Sequence, residues 1–239
     1  MKGYKGFHKG LVCLGKQYAE NTVFEEEEAV ICNRGMHFCE NPFDVLDHYG
    51  LLDDNGNFND FAEVEALAEA KTDDNKKYCT TKLKVGAKLS FSGFVKACVD
   101  FTLEKTKPGK GRRATNDEGG NSAQIGSSGD SAQIGSSGDS AQIGSSGYYA
   151  QIGSSGYYAK IGSSGDSAKI DSTGKNAVVM CAGEGSTAKA KIGSWITLAE
   201  WKYINNEYTP VCVKTEKVDG ERIKEDTYYK LKDGEFVEI

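Results

Sequence analysis

Hydrophobic positions return with a fixed nine-residue step through the middle of the chain. Alanine stands at Ala114, Ala123, Ala132, Ala141, Ala150, Ala159, Ala168 and Ala177, and isoleucine at Ile125, Ile134, Ile143, Ile152, Ile161 and Ile170. Glycine keeps the same step from Gly120 to Gly174, so the unit reads S-A-Q-I-G-S-S-G-D. A short fixed period of this kind marks a stacked repeat. A helix is excluded, because two glycines per unit would each cost about 1 kcal/mol in a helix interior. A strand and a turn fit instead. In A-Q-I the alanine and isoleucine share one face and the glutamine points the other way. G-S-S-G-D is turn chemistry, with two glycines free to take positive φ around small polar residues. Nine residues are too few to go out and back around a core, whereas two units close one coil of 18. The pattern therefore predicts a parallel β-solenoid of roughly four coils, about 20 Å long at about 4.8 Å per coil. Its core is thin, and each coil touches only its neighbours, so both ends need caps.

The flanks carry different periods. Residues 1–110 read as an α+β domain, 111–193 as the solenoid and 194–239 as a C-terminal β cap, giving a mixed α+β chain with a central solenoid. Short strands are expected at Tyr4 to Phe7, Leu11 to Leu14 and Met36 to Cys39. Asn41 is a helix N-cap with Pro42 at the first helical position. Phe43, Val45, Leu46 and Tyr49 follow as an apolar helical stripe, with Gly50 as its stop. Tyr78 to Val85 alternates as one strand, Phe94 to Glu104 reads as a helix, and Ala62 to Lys71 fits either type. After Ala177 the repeat degrades, and Ala188 to Gly193 reads as a last, shifted coil. Trp195, Ile196, Leu198 and Trp201 supply bulk to cover the solenoid end. Three strands, Val211 to Val218, Thr227 to Leu231 and Glu235 to Ile239, then form a meander, with Asp219-Gly220 and Asp233-Gly234 as hairpin signals.

Composition narrows the function classes. The chain has 239 residues and a net charge of -6, and this mild acidity argues against direct nucleic-acid binding. There is no apolar run long enough for a membrane span and no secretory h-region at the start. Seven scattered cysteines without paired C-x-x-C spacing fit reduced thiols in a cytoplasm. Calcium-binding nonapeptide rolls share the repeat length, but Tyr148, Tyr157 and Lys175 stand where a calcium ladder would need Asp130, Asp139 and Asp166 to continue.

The candidate chemistry is sparse. No nucleophile elbow, zinc-protease helix, P-loop or dinucleotide fingerprint is present, and no cofactor is expected. His37 and Cys39 would share a strand face as two metal ligands, without a second pair to complete a site. His37 is also the one candidate base, with Glu40 and Asp44 near it in sequence. Glu25 to Glu28 is a run of acids that reads as a solvated turn. Lys105 to Arg113 holds five basic residues, among them Arg112 and Arg113, which would suit a phosphate contact or a solvated linker. Tyr148, Tyr149, Tyr157 and Tyr158 interrupt two successive units with large amphipathic side chains of the type favoured at contact sites. Spaced by nine, the two pairs fall on opposite edges of one coil.

Four stretches together resemble a family of uncharacterised phage and prophage proteins: K-G-Y-K-G-F at Lys2–Phe7, R-G-M-H-F-C-E-N-P-F-D-V-L at Arg34–Leu46, the A-x-I-G-S-S-G-D-S nonapeptides, and V-D-G-E-R-I-K-E-D-T-Y-Y-K-L-K-D-G-E-F at Val218–Phe236. The resemblance implies an accessory protein of a mobile element, acting in the host cytoplasm, and brings no catalytic residues. The leading expectation is a non-enzymatic binding protein. Its partner would be a host protein or ribonucleoprotein complex, such as a CRISPR effector of the antiviral defence. One alternative is an enzyme, because the Gly35 to Leu46 stretch also resembles the order of elements in ADP-ribosyltransferase-like folds around His37. A second alternative is a structural protein of the phage particle. The oligomeric state is left open.

Overall fold

The computed structural model describes residues 1–106 and 120–239, and it divides into two compact units, Met1–Phe94 and Val95–Ile239. Arg112 and Arg113 lie outside the described residues, as does Ala114.

The N-terminal unit is built from β1 (Lys2–Phe7), β2 (Val12–Cys13), β3 (Lys16–Gln17), β4 (Thr22–Glu25), β5 (Met36–Cys39), α1 (Pro42–Val45), β6 (Asp60–Ala66), β7 (Ala70–Lys71), β8 (Lys77–Thr80) and β9 (Lys82–Leu89). Seven of these strands form one antiparallel sheet in the order β4-β9-β6-β1-β5-β8-β7, while β2 and β3 pair separately. Phe7, Met36, Phe38, Val64, Leu83 and Val85 fill its core. The strand expected over Tyr78 to Val85 is two strands. β8 pairs with β5 and β7, whereas β9 pairs with β4 and β6, and Thr81 makes the break, its carbonyl accepting from the Glu26 N–H. Alternation records which face is buried and carries no trace of a change of neighbour. The ambiguous stretch Ala62 to Lys71 is strand at both ends, in β6 as far as Ala66 and in β7 from Ala70. Asn41 caps α1 through its side chain, which accepts from the Phe43 N–H, but the helix has a single turn. The apolar stripe still serves, since turns carry the chain on to Tyr49, whose N–H reaches the Val45 carbonyl.

In the first turn of α2 (Phe91–Thr106), Phe94 stacks on Phe61 of the N-terminal unit at a centroid distance of 4.1 Å. In the C-terminal unit the solenoid strands follow at the nine-residue step. They are β10 (Gln124–Ser127), β11 (Gln133–Ser136), β12 (Gln142–Ser145), β13 (Gln151–Ser154), β14 (Lys160–Ser163), β15 (Lys169–Ser172), β16 (Val178–Cys181) and β17 (Thr187–Ala190). Even-numbered strands stack into one parallel sheet and odd-numbered strands into the other. Each pairing joins residues 18 apart, as Ile125 with Ile143 and Ile143 with Ile161, so one coil is two nonapeptides. Alanine, isoleucine and the serine after the first glycine point inward. Ile143, Ile161, Ile170, Ala141, Ala159, Ser145 and Ser163 are all fully buried. Around Gly144 the outer face of the even sheet is covered by the later part of α2, where Val99 and Thr102 lie against this glycine.

The turns correct one expectation. The repeat glycines from Gly120 to Gly174 do not take positive φ. The left-handed residue is the one after the aspartate position: Ser122, Ser131, Ser140, Tyr149, Tyr158, Ser167 and Asn176, at φ 55° to 62°. The second glycine of each unit serves close approach. A Cβ at Gly147, Gly156 or Gly174 would stand 1.9–2.0 Å from the carbonyl oxygen of the glycine one coil earlier. The aspartates are structural too. Asp130, Asp139 and Asp166 accept the backbone N–H of Tyr148, Tyr157 and Glu184, one coil later.

The C-terminal end closes differently from the expected meander, since it has four strands rather than three and they divide between the two sheets. β18 (Trp195–Ile204) adds to β16 in parallel and turns back as β19 (Glu207–Lys217) through Asn205-Asn206, both left-handed. β20 (Tyr229–Lys232) pairs antiparallel with β17 and returns as β21 (Glu235–Glu238) through the expected Asp233-Gly234 turn. Asp219-Gly220 is no hairpin, because the Asp219 carboxylate collects the N–H groups of Glu221, Arg222 and Ile223 in a loop. Val218, Ile223, Tyr229 and Leu231 join the solenoid core and cover its end. Thr187 to Ala190 is in regular register with β15, and the slip falls one turn later, where Val178 pairs with Trp195, 17 residues on.

Candidate functional site

Two places collect candidate residues, one in each unit. The first is a pocket of about 730 Å³ in the N-terminal unit, lined by His8, His37 and His48, the three histidines of the chain, with Lys5, Cys13 and Tyr49. β1 places Lys5 on the same strand face as Phe7, and the side chain is only 5% exposed. Its ammonium donates to the His37 carbonyl at 2.8 Å and lies 5.7 Å from the centre of the Tyr18 ring. Burial pushes Lys5 below the usual lysine range, and the Cys13 thiol beside it pulls the other way. The Tyr49 hydroxyl donates to Cys13 Sγ at 3.0 Å. Cys39 is pushed up to about 12, first by burial and then by Asp44.

His37 itself is half-buried and already engaged, its Nε2 accepting the Cys32 N–H at 3.1 Å. Burial lowers its pKa, followed by Lys5 and Lys77, while a backbone hydrogen bond at Gly35 opposes them. A neutral imidazole held in this way braces the Val30–Gly35 loop, and the His37 carbonyl anchors Lys5. His37 and Cys39 gain no third ligand, since among the described residues no group of three His, Cys, Asp or Glu side chains could hold a metal ion. The acidic run is occupied as well: Glu25 pairs with Lys82, Glu26 with Lys16 and Glu28 with Arg34. Lys5 was the residue missed by sequence reasoning, and a signal for it existed. K-G-Y-K-G-F puts a lysine on the parity of Gly3 and Phe7, the buried face of the strand.

The second place is the pair of turn columns flanking β13. Tyr148 and Tyr149 precede this strand, and Tyr157 and Tyr158 follow it, on opposite edges of the coil. They are 54%, 63%, 50% and 58% exposed, so they do not shield the core. Their backbones are fixed by the stack. The Tyr148 and Tyr157 N–H groups bond to aspartates one coil earlier, and those of Tyr149 and Tyr158 to the carbonyls of Asp166 and Lys175 one coil later. Tyr149 (φ 56°) and Tyr158 (φ 58°) occupy the left-handed position, which costs an aromatic residue about 1–2 kcal/mol. Between the pairs, Gln151 points outward from the odd sheet and is exposed. Beside Tyr157 a hollow of about 420 Å³ is lined by Thr173, Lys175, Lys191 and Ile192.

Residues 1–97 match a family described as a domain of unknown function (DUF7666), a stretch nearly coextensive with the N-terminal unit. No curated protein and no solved structure matches the chain. Among the described residues no helix is long and apolar enough to cross a membrane.

Proposed function

We propose that the protein is a non-enzymatic binding protein whose solenoid presents the strip from Tyr148 to Tyr158 to a host macromolecule. The observation that carries this reading is the pair of strained, exposed tyrosines. Among the described repeat turns, Ser122, Ser131, Ser140, Ser167, Asn176 and Gly185 put a small residue at the left-handed position, and Tyr149 and Tyr158 alone place a large ring there. Strain held at a position where a small residue serves elsewhere marks a function beyond folding. The rings are amphipathic, and the rigid turns beneath them lower the ordering cost of binding. About 13 Å of β13 separates the two pairs, a span that one partner can cross. The family resemblance in the sequence directs the choice of partner to a host antiviral defence complex, with a protein or ribonucleoprotein such as a CRISPR effector as the first class to test.

The test is a comparison of two baits in a bacterial host lysate, the full chain and the same chain with Tyr148, Tyr149, Tyr157 and Tyr158 changed to serine. A stoichiometric partner retained by the first and lost by the second supports the reading. Equal capture by both removes the tyrosines from the interface, and an empty capture by both removes the macromolecular partner.

A further inference from the structure

We infer that the N-terminal pocket binds a small anion, a carboxylate or phosphate carried on a flat, largely apolar body, with the Lys5 ammonium as its counter-ion. This goes beyond the solenoid reading and concerns the other unit.

The argument starts from charge. Lys16 pairs with Glu26, and Arg34 with Glu28 at 3.3 Å. Lys77 faces Cys32, Asp74 and Asp73. Lys5 is the deepest of the pocket's cations and, among the described residues, forms no ion pair with a carboxylate. Its neighbours are the His37 carbonyl, the thiols of Cys13, Cys39 and Cys79, and aromatic rings. The His37 carbonyl takes one of its three donors, and the Cys13 thiol lies beside it. A desolvated ammonium without an opposite charge is costly. An anion placed against it restores the pairing with a charge-assisted hydrogen bond, in a setting where such bonds are strong.

Two of the acids that line the pocket are engaged elsewhere, Glu26 by Lys16 and Asp53 by the backbone. Asp53 is committed to the N–H groups of Asn55 and Asn57 at 2.9 and 2.8 Å, which hold its carboxyl below the usual range. Shape supplies the other half of the specificity. Tyr4, Tyr18, Phe38 and Tyr49 line the cavity, and flat walls with one convergent charge suit a planar body with an anionic end. The volume of about 730 Å³ falls in the range of small-molecule sites.

Isothermal titration of the full chain with phenyl phosphate and with benzoate tests this, with benzamide as the uncharged control. The expected result is binding of at least one anion, no heat from benzamide, and at least a tenfold loss of affinity in Lys5→Met. Which anion binds separates a phosphate from a carboxylate ligand. The inference is overturned if neither anion binds, if benzamide binds as well as they do, or if Lys5→Met binds with unchanged affinity. Should that variant not fold, backbone amide shifts of the unmodified chain decide. On titration with phenyl phosphate they must concentrate at Tyr4, Lys5, His37 and Tyr49, and a response confined to surface lysines elsewhere overturns the inference.

Discussion

From β10 to β17 every pairing in the solenoid joins residues 18 apart, whereas in the N-terminal sheet Lys2 pairs with Glu65 and Met36 with Thr80. In the solenoid a side chain meets the equivalent side chain of the next coil, so a repeat position has one physical task and keeps one residue type. In the N-terminal sheet each position meets a different neighbour, and no residue type recurs to reveal it. The two units also handle polar groups differently. The solenoid places Asp130, Asp139 and Asp166 on backbone N–H groups one coil later, while the N-terminal unit buries a lysine against a carbonyl and a thiol. Repetition produces a scaffold with little room for exceptions, so an exception such as Tyr149 is informative. In the irregular unit the informative feature is a buried charge.

The largest effect should come from breaking the coil stack at one glycine. In Gly156→Ala the new Cβ would stand 1.9 Å from the Gly138 carbonyl oxygen, and the obstructing atom is backbone. The coils must separate there, at a cost of about 3 kcal/mol or more. Gly135→Ala, at the first glycine of its unit, meets nothing within 4 Å. That change should leave stability unaltered or raise it by up to about 1 kcal/mol. Both tryptophans of the chain, Trp195 and Trp201, lie in the C-terminal unit. Their fluorescence during urea unfolding therefore reads the solenoid directly. Equal losses in the two variants would show that stacking does not set the nine-residue glycine step, and the contrast between the units would lose its basis.

This contrast explains what was legible in advance. The 18-residue coil, the inward alanine and isoleucine and the opposite edges of the two tyrosine pairs all follow from one period. The task of the glycine did not follow, because glycine serves both positive φ and close approach, and only the stacked turns distinguish them. Asn205-Asn206 was a hairpin turn in plain view, beside the clearer Asp-Gly signal that proved to be a loop. In the N-terminal unit β1, β5 and the cap of α1 were readable because they are local. The split at Thr81 was not, nor was the convergence of Lys5, Cys13 and Tyr49, since both depend on pairings across tens of residues. Of the candidate site, His37 was found for its chemistry, and the structure uses its carbonyl and Nε2 to hold neighbours.

A smaller effect separates strain from contact. Tyr149→Asn and Tyr158→Asn replace a ring by a residue that tolerates the left-handed region, and each should raise stability by about 1 kcal/mol. If the tyrosines bind the partner, the same changes weaken its capture, so stability and binding move in opposite directions. The N-terminal unit provides the control. Leu14 is also left-handed, at φ 49°, and 91% exposed. Leu14→Asn should bring a similar gain in melting temperature without any loss of the solenoid's partner. A loss of capture in Leu14→Asn would transfer the interface to the other unit.

The smallest effect concerns the inward serines. Ser163 is fully buried in a strand, and its hydroxyl has no hydrogen-bond partner among the described residues, nor do the buried hydroxyls of Ser136, Ser145, Ser154 and Ser172. An unpaired buried hydroxyl carries a desolvation cost with no bond to offset it. Alanine fills nearly the same space, so Ser163→Ala should hold stability level or raise it by up to about 1 kcal/mol. The N-terminal unit gives the opposite sign for a buried polar group that is satisfied. Asn41 accepts the Phe43 N–H at 3.0 Å as the cap of α1, and Asn41→Ala should cost about 1 kcal/mol. Tryptophan fluorescence follows the first variant, and protection of the α1 amides from hydrogen exchange follows the second. A loss of stability in Ser163→Ala would mean that the serines bond to one another along the stack, which would make the repeat's inner face a polar ladder as well as an apolar one.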